Sequence, residues 1–179
     1  MIVVADASPL NYLIQINCDG LLRDLYGSVL VPASVIEELG HPSAPNVVAG
    51  WLLNLPTWIE VRSVAFRDDT GLQNLDRGER EAIQLAEEQC AGLLLIDERL
   101  GRSEAKRRGI ATTGTLGILL AGGIRRFVDP AQAFQQLVQQ TNFRASPSLR
   151  ESFASNGTTC GGENRFELRL LWAVMGCLA

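Results

Sequence analysis

Two stretches of this sequence are apolar at every position and each stops at an acid: Ile2-Val3-Val4-Ala5 before Asp6, and Leu93-Leu94-Leu95-Ile96 before Asp97. Short continuous apolar runs, without the alternation of a half-exposed strand, predict strands buried on both faces, the environment of a parallel sheet covered by helices. Ser8 and Pro9 predict a helix start directly after the first strand, with Leu10, Leu13 and Ile14 as its apolar stripe. A second strand is expected over residues 28–31, and Pro32 opens a helix around Val35, Ile36 and Leu39 that Gly40 ends. Helices are expected over 47–55, 76–89, 100–108, 116–121 and 130–140, a strand or extended edge over 58–64, and a strand-like segment over 110–113. Strands alternating with helices in this order predict a parallel sheet with both faces covered.

Composition narrows the class. With 179 residues, 46% of them hydrophobic and 20% charged, the chain is long enough for a real core without disulfides or a structural metal. A formal charge of −4 excludes strong unfocused attraction to nucleic acid, so a phosphate partner must be held by a local patch. Cys18, Cys90, Cys160 and Cys177 form no close pair and His41 is the only histidine, which argues against zinc and for reduced thiols. The start lacks the basic-then-apolar pattern of a signal peptide, and no stretch reaches the ~18 apolar residues of a membrane span, so a cytoplasmic protein with no membrane association is expected. Residues 1–152 are expected to form the main domain. Residues 155–164 are small or polar and read as a linker, and 166–178 as an apolar end that docks on the core or on another subunit.

The acids carry the chemistry. Asp6 and Asp97 both follow buried strands, and if those strands are parallel, both carboxylates leave the sheet at the edge where ligand crevices form. Each also suits a cap of the following helix. At ~100° per residue Glu79 projects near the middle of the face made by Ala82, Ile83, Leu85 and Ala86, while Glu81 points away. Asp76 with Glu79 three residues on equally fits a capping box, which would also turn Glu79 inward. Glu38 flanks its helix's apolar face and Glu37 lies nearly opposite. Clustered carboxylates without histidine or cysteine are hard oxygen donors suited to Mg²⁺ or Mn²⁺, and such ions assist phosphodiester hydrolysis. Arg99, Arg102 and Lys106 fall at i, i+3 and i+7 as one basic stripe directly after Asp97, matching either a phosphate track or a solvated face. Thr112, Thr113 and Thr115 offer hydroxyls to phosphate, or serve as strand-end and cap residues.

Taken in order, Asp6-Ala7-Ser8-Pro9-Leu10, Val31-Pro32 through Glu37-Glu38-Leu39, Leu75-Asp76-Arg77-Gly78-Glu79 with Ala82-Ile83, Leu94-Leu95-Ile96-Asp97, and Gly114-Thr115-Leu116-Gly117 resemble a PIN domain. More narrowly, they are similar to a prokaryotic PIN subfamily related to the toxins of virulence-associated toxin–antitoxin systems. The resemblance covers residues 1 to about 150. It implies a three-layer α/β/α sandwich, a Mg²⁺- or Mn²⁺-dependent ribonuclease acting on RNA, a homodimer, and an antitoxin protein as a partner. It also implies Asp6, Glu38, Glu79 and Asp97 as the catalytic and metal-binding acids, with Ser8 and Thr113 in polar support. Many toxin members carry aspartate at the third position where this chain has Glu79, and Glu81 is the alternative.

Overall fold

The computed structural model describes residues 1–65 and 67–154; the expected linker and apolar end lie outside the described residues. Five strands form one sheet: β1 (Val3–Ala5), β2 (Val29–Pro32), β3 (Ile59–Arg62), β4 (Leu93–Leu95) and β5 (Thr112–Thr113). Their spatial order is β3-β2-β1-β4-β5 and every pairing is parallel. Parallel neighbours need crossovers, and helices supply them: α1 (Ala7–Gln15), α2 (Gly20–Tyr26), α3 (Ala33–Leu39), α4 (Asn46–Leu53), α5 (Arg77–Glu88) and α6 (Arg99–Arg107). The architecture is a three-layer α/β/α sandwich.

The two all-apolar runs form the centre, as their burial requires. β1 and β2 are buried at every position, whereas β3, at the sheet edge, buries only Ile59. Val4, Leu30, Leu94 and Ile96 pack against Ala82, Ile83, Leu85 and Ala86 of α5 and Ala105 of α6. By the two-residue alternation of strands, Val3, Ala5, Val29, Val31 and Leu95 face the opposite side, where they are equally buried.

The described residues fall into two compact units, one running from Met1 to Thr115 and one that begins at Leu116. In the second, α8 (Pro130–Gln140) is capped by Asp129, whose carboxylate accepts from the amides of Ala131 and Gln132, and the sequence reads it end to end. It follows α7 (Thr115–Ile124) and precedes α9 (Pro147–Ala154). The Phe134 and Phe153 rings stack with centroids 4.0 Å apart beside Leu120 and Leu149. Among the described residues, no helix is long and apolar enough to cross a membrane.

Candidate active site

The strand order reverses at β1: the chain fills one side through β2 and β3, then returns to place β4 and β5 on the other. In open parallel sheets such a reversal leaves a crevice at the carboxyl ends of the strands, here between β1 and β4. Asp6 sits at that point. Its amide donates to the Leu95 carbonyl at 2.9 Å, extending the β1–β4 ladder by one residue, and the residue is 2% exposed. Asp6 also takes the capping role open to it in the sequence, so α1 begins at Ala7, ahead of Ser8 and Pro9. It is the N-cap of α1, and the Ser8 amide donates to its Oδ2 at a long 3.5 Å.

The N-terminus of α5 faces the same crevice. Asp76 and Glu79 form the capping box: the Glu79 amide donates to Asp76 Oδ1 at 2.8 Å, and the Asp76 amide donates to Glu79 Oε2 at 3.2 Å. That uses one oxygen of Glu79. The other, Oε1, is buried without a hydrogen-bond partner, a condition shared among the described residues only with Ser34 Oγ. The capping and functional readings of Glu79 therefore divide its carboxylate between them. Glu79 Oε1 lies against Gly101 of α6, where a Cβ would stand 2.9 Å from it. At Gly78, a Cβ would meet Glu38 Oε2 at 2.8 Å, Asp76 Oδ1 at 3.4 Å and Asp6 Oδ1 at 3.5 Å, so three carboxylates from β1, α3 and α5 crowd over one backbone position.

Their charges are mutually unfavourable. Burial pushes the Asp6 carboxyl up to about 8, with Asp76 and Glu38 adding to the rise against the amides of Ala7 and Ser8. Burial also raises Glu38, an exposed residue whose Oε2 stands over Gly78, and Asp76 adds to it. Glu79 is raised by burial, then by Asp76, Glu98 and Glu38. Asp76 thus joins the site although sequence reasoning gave it only a cap. The available signal was its place, three residues before Glu79 at the amino end of the same helix.

Asp97 is held differently. The Thr115 amide donates to its Oδ1 at 2.9 Å and the Thr115 hydroxyl to its Oδ2 at 2.6 Å. Thr115 is fully buried and both its donors serve Asp97, which leaves neither for the phosphate contact that was one of its two readings. Burial raises the Asp97 pKa; Arg102 lowers it and Glu98 raises it, so Glu98 is the charge that Asp97 and Glu79 share. Thr113 lies half-buried at the end of β5, its carbonyl accepting from the Ile96 amide. Glu81 pairs with Arg77, which also reaches Glu37, on the outer side of α5.

The basic helix splits into two groups. Arg107 and Arg108 are engaged by Glu104, and Arg108 also by Asp69 and Glu87. Arg99, Arg102 and Lys106 have no ion pair among the described residues. Arg102 is half-buried; Arg99 and Lys106 are exposed.

A family model described as a PIN domain matches residues 2–157. The chain belongs to the PIN-domain family. PIN domains are in general nucleases, and those nucleases generally use divalent metals. No curated protein matches the chain.

The site fits a hard cation by its chemistry: every donor is a carboxylate, one buried oxygen lacks a partner, and glycine at 78 leaves a cradle that a Cβ would fill. Among the described residues no three His, Cys, Asp or Glu side chains form a ready-made cage. Of the two exposed members, Asp76 is fixed through Oδ1 by the Glu79 amide, while Glu38, whose carboxylate makes no hydrogen bond or ion pair among the described residues, keeps the side-chain freedom to close one.

Gly78 has no positive φ, so alanine is sterically allowed in the backbone there and favoured within a helix by roughly 0.5–1 kcal/mol. Its Cβ would displace the flexible end of Glu38. Gly78→Ala is expected to leave the melting temperature unchanged or higher while weakening Mn²⁺ binding about tenfold. Calorimetry showing undiminished affinity would remove Glu38 from the site.

Proposed function

We propose that this PIN domain is a Mg²⁺- or Mn²⁺-dependent ribonuclease, hydrolysing RNA phosphodiester bonds as the toxin of a toxin–antitoxin pair. The observation that carries the reading is two buried carboxylates, Asp6 and Glu79, with Glu79 Oε1 unpartnered and Glu38 and Asp76 crowding over Gly78 with Asp6. Asp6, Glu38, Glu79 and Asp76 would hold the ion. When bound, it would polarise the phosphodiester and neutralise the charge of its transition state. Hydrolysis adds water across one P–O bond and leaves a phosphomonoester and a hydroxyl end. Asp97, fixed by Thr115, supplies a carboxylate that feels the charge of Arg102. Arg99, Arg102 and Lys106, which make no ion pair among the described residues, hold the flanking phosphates.

The direct test is cleavage of RNA by the metal-stripped full chain. Cleavage is expected on adding Mg²⁺ or Mn²⁺ and is lost in Asp6→Asn; no cleavage with either ion, or cleavage indifferent to Asp6→Asn, contradicts the reading. The toxin role predicts growth arrest on expression that Asp6→Asn relieves, and the homodimer and antitoxin partner belong to the same proposal.

Arg102→Gln is expected to weaken RNA binding and to lower the salt slope by about 0.7 for one lost phosphate contact to a single strand. Arg107→Gln, which removes an arginine already paired with Glu104, should change neither. Equal effects of the two would assign the stripe to general charge.

The absence of a ready-made cage among the described residues favours a second reading, a catalytically weak PIN-fold module that binds RNA or protein. RNA affinity that is the same with and without divalent ions, with no ion-dependent thermal shift, would select it.

A further inference from the structure

We infer that Arg77 is a positioning residue that clamps α3 to α5 from outside and so holds Glu38 at the site. This rests on the reading of the carboxylates as a cation site. Glu38 and Asp76 repel one another, and the helices bearing them, α3 and α5, are packed side by side. Arg77 stands between Asp76 and Gly78 in the sequence, yet its guanidinium faces away from the carboxylates. Its Nη1 donates to Glu37 Oε2 at 2.7 Å and its Nε to Glu81 Oε1 at 2.9 Å. Glu37 adjoins Glu38 on α3, and Glu81 lies one turn along α5. One planar fork therefore joins the helices at the residues next to the acids, a geometry that suits arginine better than lysine. The rival acid Glu81 and the outward-facing Glu37 acquire a role here that neither had in the sequence.

An exposed ion pair contributes little to global stability, so the clamp acts on where Glu38 stands rather than on whether the chain folds. Simple electrostatics and the clamp differ in sign. Removing the Arg77 charge makes the surroundings more negative and by field alone would tighten cation binding, whereas removing the Glu37 charge would loosen it. The clamp requires both changes to loosen it.

Calorimetric titration of Mn²⁺ into the full chain separates the two. Arg77→Gln and Glu37→Gln are each expected to weaken binding, on the order of three- to tenfold, and the double variant to lose no more than either alone, because both sever one contact. Arg77→Lys should recover part of the loss. Tighter binding by Arg77→Gln, or additive losses, would overturn the clamp. A crystal structure of Arg77→Gln with no ion added isolates this inference from the metal reading. Glu38 is expected to leave its position over Gly78, and its remaining there would overturn the inference even if Mn²⁺ binds.

Discussion

Asp6→Asn is expected to abolish divalent-ion binding and lower RNA cleavage by on the order of a hundredfold or more, while making the ion-free protein more stable at pH 8. Loss of function and gain of stability have one cause. The folded-state pKa of Asp6 is raised from 3.8 to about 8, mainly by burial, so its ionisation favours the unfolded chain. A carboxyl raised in this way contributes stability in full below its unfolded value, near pH 4, and that contribution disappears as pH climbs through about 8. Asparagine, like the protonated acid, is uncharged at all pH, and it caps a helix as well as aspartate does. The variant's advantage should therefore be absent below pH 4 and reach its full size, several kcal/mol, above pH 8. Adding Mg²⁺ or Mn²⁺ should raise the wild-type melting temperature more at pH 8 than at pH 5, where protons compete for Asp6, and should not affect Asp6→Asn. Melting curves against pH in chelator-treated protein, with and without ion, measure both. A variant less stable than wild type at pH 8 without ion would contradict the burial of an uncompensated charge.

The second large effect concerns the fold away from the crevice. The Arg108 side chain is 9% exposed and donates to Asp69 at 2.8 Å, Glu104 at 2.6 Å and Glu87 at 3.1 Å. It ties the segment before α5 to the ends of α5 and α6. Its hydrogen bond to Asp69, with those to Glu104 and Glu87, raises its own pKa. Hydrogen bonds from Arg107 and Arg108 hold Glu104 down at about 2. Arg108→Met fills similar space but leaves three carboxylates facing one another, and a fall of about 5 °C or more in melting temperature is expected at pH 7. A depressed carboxylate contributes stability above its unfolded value and loses it as pH falls through the folded one. The gap between variant and wild type should accordingly narrow from pH 4.5 towards pH 2. A melting temperature unchanged at pH 7 would show that the hub only decorates the surface.

The sheet was legible wherever burial left its mark on consecutive residues, as in β1 and β4, and so was α5, whose capping box and apolar face agree. β3 was ambiguous because only Ile59 of its four residues is buried, and an edge strand has little pattern to show. α2 escaped notice because it starts at Gly20, spans seven residues and has no side-chain cap. Missing α9 has the opposite reason, since its Leu149 and Phe153 pack among residues of α7 and α8 that no local pattern announces.

Helical arithmetic singled out Glu38 and Glu79, which stand over Gly78 and against Gly101, but not the relation of the two aspartates. Ala5 pairs with Leu95, so Asp6 is level with Ile96 and Asp97 lies one residue further on. In a strand one residue is the difference between faces. Asp6 accordingly turns towards α5 and Asp97 towards Thr115. A motif that ends both strands in aspartate shows the shared edge and cannot show that offset. Asp76 was masked for another reason: its capping role explained it completely, and nothing in the sequence marks an acid that performs two tasks.

The most direct test of the account is anomalous diffraction from a Mn²⁺-soaked crystal of the full chain. A peak among Asp6, Glu38, Asp76 and Glu79 is the predicted result. Ordered carboxylates with no peak between them, or manganese held only elsewhere on the surface, would contradict it.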